Sequence, residues 1–400
     1  MEARRATEFG QKTWKQTHIF QSLSIELSSP SYFEYFITSY NFIFLIPFRL
    51  RKSEENSIVC VKNIFHQIFC AVLLICNKAW AIYNFLNSIN VNIYKEPFQL
   101  FLVVINITAF FLPVVFFKVF WKRSEEVSKF ANLSKTNFLM YKNKLFSAIS
   151  TIWPFLLNAL FIYHLRSALT FQAQDTWYMY LLQATQHVGL LVGIMLSNFV
   201  DTYVALLAIS GYDIVRKTVT GLEYLRKSSN AKKQWQNGDF SNLIDIAERL
   251  ETFFDSLNSI GSPIILNWFC ILVTWASHKL LDSLPGSSRD FAGSEVTLWS
   301  SWINMLNYWL YFGMYILTLV LCAETKRECD NIHRTIKQIV VQYDPNLMYG
   351  KGVLLRIKLA FDNVGIHGGY FFKFSYSFIG SAAGLVVAYT FLALQLQLSV

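Results

Sequence analysis

Two primary amides, Gln395 and Gln397, stand near the end of the apolar stretch "AYTFLALQLQL" at residues 388–398. A primary amide in hydrocarbon is costly without a partner, so a helix that only anchored the chain would carry Leu, Val or Ala there. At about 100° per residue, Ser381, Ala388, Leu392 and Gln395 fall along one helical face, a strip of small and polar groups. Gln397 lies about 200° from Gln395, so the two amides serve different surroundings. Either that face lines a polar path, or the amides sit at the headgroup level of an ordinary lipid-facing anchor. A second polar cluster is Gln183, Gln186 and His187, which share a face at i, i+3 and i+4 spacing. Asp201 lies fourteen residues after His187 in the same apolar run, about 21 Å along a helix, so the two do not meet. Ionisable groups inside a span read as functional by default, although a lone histidine is also a common packed side chain. No HExxH, GxSxG or phosphate-cradling glycine loop is present, so nothing marks an enzyme.

The elements that must hold these groups are membrane spans. Of 400 residues, 54% are hydrophobic, 17% aromatic and only 15% charged, where a soluble domain carries about 25% charged residues. Apolar runs of about the length a membrane helix needs recur at 63–86, 98–120, 145–168, 178–208, 259–282, 299–323 and 374–398. The sequence therefore predicts an all-α polytopic membrane protein with seven transmembrane helices. An eighth run, "YFEYFITSYNFIFLIPF" at 32–48, is shorter and reads as a half-helix on or dipping into the membrane. No cleavable signal pattern precedes it. With the N-terminus inside, only Lys78, Lys95, Arg166, Lys279 and Arg289 of the 35 basic residues fall on the outer side. The C-terminus is then extracellular.

The inner connections, 121–144, 209–258 and 324–373, are long, polar and mostly helical in pattern, and the outer ones are short. Leu243, Ile246, Leu250, Phe253, Phe254 and Leu257 recur at helical intervals, as do Ile332, Ile336, Ile339 and Val340. Such stripes either pack within one subunit or form a cytosolic assembly core. The expected organisation is a cytosolic N-terminus with its half-helix (1–62), six membrane helices (63–323), a cytosolic region (324–373) and a last helix (374–400). The six cysteines show neither CxxC pairs nor metal-ligand spacing, so no metal or cofactor is expected. The Asn-x-Ser/Thr matches at Asn106 and Asn132 fall in a span and an inner loop and are given no role.

The outer halves of spans three to six are rich in aromatic and amide groups. Beside Gln183, Gln186 and His187 stand Tyr163, Trp268 and Trp275. Trp302, Asn304 and Tyr308 belong to the sixth span. Aromatic faces with a few placed hydrogen-bonding groups suit a small organic ligand, and they equally suit an interfacial aromatic belt.

The end of the chain resembles the insect gustatory receptor family. That family closes with Thr-Tyr, five apolar residues and Gln-Phe; here Ala388-Tyr389, "TFLAL" and Gln395-Leu396 fit the frame, with Ala for Thr and Leu for Phe. "HGGYFFKFSYSFIGSAAG" (367–384) is similar to the family's glycine and aromatic approach to its last helix. The resemblance implies a ligand-gated cation channel in the plasma membrane. It implies a homotetramer, with related subunits as possible partners, around a central pore lined by the last helix. The helices would extend into a shared cytosolic anchor, and no nucleic acid is involved. Gln395 would then face the ion path and a ring of Leu396 would seal it by dewetting. Gln397 would meet a neighbouring helix or the outer rim, and Tyr389 would couple ligand motion to the pore. A relative without a taste or channel role and a metabotropic seven-helix receptor are the alternative readings. The second is opposed by the inside N-terminus and by the absence of NPxxY from the last span.

Overall fold

The computed structural model describes residues 36–38, 46–53, 57–89, 111–137, 156, 159, 177–230, 237–282, 298–343 and 350–398. Its long helices are α1 (Ile64–Ile89), α2 (Ser124–Asn137), α3 (Trp177–Asn230), α4 (Asn237–Asp282), α5 (Leu298–Tyr343), α6 (Gly350–Asn363) and α7 (Tyr376–Leu398). Residues 111–122 are also helical. Two short antiparallel hairpins interrupt this order: β1 (Phe48–Lys52) with β2 (Ile58–Lys62), and β3 (His367–Gly368) with β4 (Phe372–Lys373). The expectation of an all-α chain is corrected to that extent.

At 1.5 Å per residue, α3 is about 80 Å long and α4 and α5 about 70 Å each, more than twice the hydrocarbon thickness of a bilayer. Each is apolar in one half and polar in the other, and the polar halves lie on the same side. Among the described residues, Ile64–Tyr83, Trp177–Glu223 and Leu243–Ser277 are long and apolar enough to cross a membrane; Tyr376–Leu392 is a shorter apolar stretch. The expected spans at 98–120 and 145–168 fall largely outside the described residues.

The polar halves pack as a helical layer. Leu243, Leu250, Phe253, Phe254 and Leu257 of α4 are buried, as are Ile332, Ile336, Ile339 and Val340 of α5. Ile357, Ala360 and Phe361 of α6 join them. Both stripes read from the sequence are thus covered within a single chain. An ion pair at 2.5 Å between Arg356 and Glu248 ties the rim of α6 to α4.

In the apolar layer α1 lies against α3 through Gly189 and Gly193. A Cβ added at Gly189 would stand 2.5 Å from the Cys76 carbonyl oxygen and 2.6 Å from the Trp80 Cβ. One added at Gly193 would stand 2.8 Å from the Asn77 amide nitrogen. Small residues four apart let two membrane helices approach until backbone meets side chain. The approach is sealed by the buried Asn77, whose Nδ2 donates to the Gly189 carbonyl at 3.0 Å.

The half-helix expected at 32–48 falls largely outside the described residues. Phe36–Thr38 are helical, but β1 begins at Phe48, because "FRLRK" and "IVCVK" alternate inward and outward with the period of a strand. Phe36 and Ile37 are buried, Phe36 stacking on Phe199 of α3 with centroids 4.6 Å apart. Phe116, Phe120 and Tyr203 complete this aromatic cluster. The β1–β2 hairpin docks on α2: the Asn132 carboxamide accepts from the Ile58 N–H at 2.7 Å and donates to the Ile58 carbonyl at 2.9 Å. Asn132, given no role above, acts as one rung of a missing third strand. Burial in this contact pushes the Cys60 thiol up to about 12, so it is an inert donor to the Ser124 carbonyl.

Candidate functional site

The last helix rises from a clamp. Asn258 and Ser262 of α4 hold the connection between α6 and α7 by its backbone. Asn258 donates to the Gly365 carbonyl at 2.8 Å and accepts from the His367 N–H at 3.0 Å. Ser262 exchanges two bonds with Gly369: its carbonyl accepts from the Gly369 N–H and its hydroxyl donates to the Gly369 carbonyl. Gly365 and Gly369 have φ of 135° and 63°, in the region that favours glycine. Ser375 accepts from the Phe378 N–H at 3.1 Å at the start of α7. Phe378 then stacks on Phe372 at 4.2 Å and meets Phe269 of α4 at 5.1 Å. The Tyr376 hydroxyl donates to Glu324 of α5. In this joint, burial first and then Lys373 and Lys326 push His367 down to about 4.

Next to Ser262, Pro263 lies inside α4. Proline has no N–H to offer the carbonyl four residues back, which is that of Ser259. Arg123, at the junction of segment 111–122 and α2, donates to that Ser259 carbonyl. The break in α4 is thereby satisfied by a charged donor from another element.

Above the clamp α7 is covered by the rest of its chain along one face. Ile379, Ala382 and Val386 are half-buried and Thr390 is buried, and these recur at three- and four-residue steps along one face. Ser381, Ala388, Leu392 and Gln395 are all exposed and lie roughly opposite, about 150° away. Tyr389 is exposed on the flank. The side chains of Leu396 and Gln397 lie outside the described residues. A Cβ added at Gly380 or Gly384 would meet nothing within 4 Å, so a small-residue strip on the exposed side is open to close approach.

The ligand candidates divide into two levels. Gln183, Gln186 and His187 are half-buried near the start of α3, and His187 Nδ1 lies 2.6 Å from the Gln183 carbonyl. Trp268 and Trp275 sit on α4, and both rings meet Tyr315 of α5, at 5.9 and 5.8 Å. Tyr163 lies outside the described residues. Trp302, Asn304 and Tyr308 belong to α5, but their side chains are not described.

Sequence reasoning gave no partner for Asp201. The buried carboxylate accepts from Trp268 Nε1 at 2.8 Å and from the Tyr315 hydroxyl at 3.2 Å. One turn earlier, Asn198 accepts from the Tyr311 hydroxyl and through its carbonyl from Thr202 at 2.9 Å. Two polar residues of α3 thus hold α4 and α5 in one network within the apolar layer, where every buried polar group must find a partner. The lone acid in an apolar run was a visible signal. Its partners, 67 and 114 residues away, were not. Trp268 therefore directs its only N–H at a carboxylate rather than at open space.

No family model and no curated protein matches this sequence. Solved structures do. The insect olfactory receptor OR5 from Machilis hrabei aligns over 90% of this chain and 99% of its own, with a TM-score of 0.60 at 15% identity. Its complex with eugenol matches with the same values. This is the fold of an insect olfactory receptor. The likeness is one of fold, a helical chain with long apolar helices.

Proposed function

We propose that this chain is a ligand-gated, non-selective cation channel of the gustatory-receptor kind, four copies surrounding a path lined by α7. The observation that carries this is the free face of α7: Ser381, Ala388, Leu392 and Gln395 are exposed on the side opposite the one packed on its own chain. A helix fixed at its foot and bare along a strip of small and polar residues suits an axis shared by copies better than lipid, which offers an amide no partner. The exposed Leu355 and Leu359 on α6 supply a second self-association surface, on the polar side of the chain. Gln395 faces the ions, the Leu396 ring seals, and Gln397 and Tyr389 couple α7 to its neighbours. The seven-span topology has a cytosolic N-terminus and sits in the plasma membrane.

The ligand is a small organic molecule entering beside Gln183, Gln186 and His187, with Tyr163, Trp275, Trp302, Asn304 and Tyr308 as further contacts. Trp268 takes part through Asp201. Eugenol, bound by the Machilis hrabei receptor, is a reasonable first probe in a panel of tastant-like compounds. The test is twofold. Purified protein should sediment as a tetramer, and cells expressing the chain alone should pass ligand-evoked cation current that Gln395→Leu strongly reduces at equal surface expression. A monomeric particle without current from any ligand overturns the channel reading. Unchanged current in Gln395→Leu overturns the pore assignment.

A further inference from the structure

The outward face of the β1–β2 hairpin has no part in that function. The antiparallel register sets Arg49 opposite Val61 and Arg51 opposite Val59. Residues paired across a ladder share a face, and Phe48 and Ile58, at the alternate positions, are buried. All four outward side chains are exposed, the valines at 45% and 43%. The face is therefore a two-by-two patch with an arginine edge and a valine edge, and water is a poor match for the second.

The hairpin also has a defined height. Exposed Lys62 is followed after one residue by α1, whose Ile64–Tyr83 stretch is apolar enough to span a membrane. Ile64, Phe65 and Ile68 in its first turns are 74%, 63% and 59% exposed, as lipid-facing residues are. Arg49 Nε lies 3.5 Å from His66 Nε2, which sets its guanidinium beside the first turn of α1. Trp121, Lys118 and Lys122 are exposed at the end of segment 111–122, the mixture found where a helix leaves the bilayer. Exposed Glu125 and half-buried Glu126 are the opposing charges on α2. Glu54 and Glu55, between the strands in sequence, lie outside the described residues.

We infer that this face docks the headgroups of anionic glycerophospholipids in the leaflet on the polar side of the chain. Arg49 and Arg51 fork onto phosphate oxygens, and Val59 and Val61 enter the boundary between headgroups and acyl chains. The charge bias places that leaflet on the cytosolic side, where anionic lipids concentrate. The inference needs only that α1 spans the membrane; it stands whether or not the protein conducts.

Native mass spectrometry of the full chain from detergent with added phosphatidylserine or phosphatidylcholine tests it. The wild type should retain phosphatidylserine preferentially and lose that preference in 0.5 M salt. One basic side chain near an anionic surface is worth about fivefold in binding, so Arg49→Gln with Arg51→Gln should weaken retention about 25-fold. Lys351→Gln, exposed on α6, should leave it unchanged. Equal retention of the two lipids by the wild type, insensitive to salt, overturns the inference without any variant having to fold. So does undiminished retention by the double variant. A change in copy number with lipid retention intact would assign the face to a second copy of the chain and overturn the lipid assignment.

Discussion

Gly189→Ala is the sharpest perturbation the geometry allows in the apolar layer. The new methyl would start 2.5 Å from the Cys76 carbonyl oxygen and 2.6 Å from the Trp80 Cβ. Ordinary carbon contacts are about 3.5–4.0 Å. The carbonyl belongs to the backbone and cannot swing away, so α1 must withdraw from α3 by about 1 Å. That withdrawal stretches the 3.0 Å bond from Asn77 to the Gly189 carbonyl beyond hydrogen-bonding distance. Overpacking costs about 1–3 kcal/mol, and a polar bond between membrane helices about 0.6–2 kcal/mol. Against these, alanine gains up to about 1 kcal/mol in helix propensity. The net loss is about 1–4 kcal/mol. Thermal unfolding in detergent, followed by tryptophan fluorescence with Trp80 at the contact, should show a clearly lower midpoint. Gly313→Ala is the matched control, because a Cβ there meets nothing within 4 Å; it should be neutral or slightly stabilising. A Gly189→Ala protein as stable as the wild type, or an equal loss in Gly313→Ala, would refute the close-packing argument.

Other consequences follow from the same geometry. Trp268→Phe keeps the ring but removes the donor to buried Asp201; it should destabilise the protein by about 1–3 kcal/mol, with Asp201→Asn recovering part of that loss in a double-mutant melt. Arg123→Met should cost about 1–3 kcal/mol by orphaning the Ser259 carbonyl. In a Pro263→Ala background, where the helix supplies its own N–H, the same change should cost much less, and equal costs in the two backgrounds would sever the link. His367, held down to about 4 against an ordinary 6.5, binds fewer protons folded than unfolded between those values. Its contribution is complete above pH 6.5 and declines as pH falls toward 4. Melts over that range should fall less steeply in His367→Asn than in the wild type.

How much was legible in advance depends on how local each cause is. The long apolar runs of α1, α3, α4 and α5 announce themselves, because a bilayer demands a length and a composition that any single segment must meet by itself. The stripes at Leu243–Leu257 and Ile332–Val340 were visible as helical periodicity, but their destination was not. A stripe says that a face is covered and does not say by what. Here α4, α5 and α6 of one chain cover one another. The β1–β2 hairpin escaped notice because its strands are five residues long and follow an apolar run that resembles a helix. The alternation became decisive only with Asn132 paired to both backbone groups of Ile58.

The candidate site divides in the same way. Tyr389, Gln395 and the face of Ser381, Ala388 and Leu392 lie within one helix, and the angle between two residues of a helix follows from their separation alone. The sequence by itself therefore determined which side chains share a face of α7, and that the chain is built of membrane helices with polar extensions. Only the tertiary structure decided which face of α7 its own chain occupies, leaving the opposite one bare. Only it brought Trp268 and Tyr315 to Asp201, Arg123 to the carbonyl that Pro263 abandons, and Asn77 to Gly189. Those contacts join residues 67 to 136 positions apart. Burial makes each polar group find a partner, and which partner it finds is settled by how the helices pack, not by any pattern along one of them.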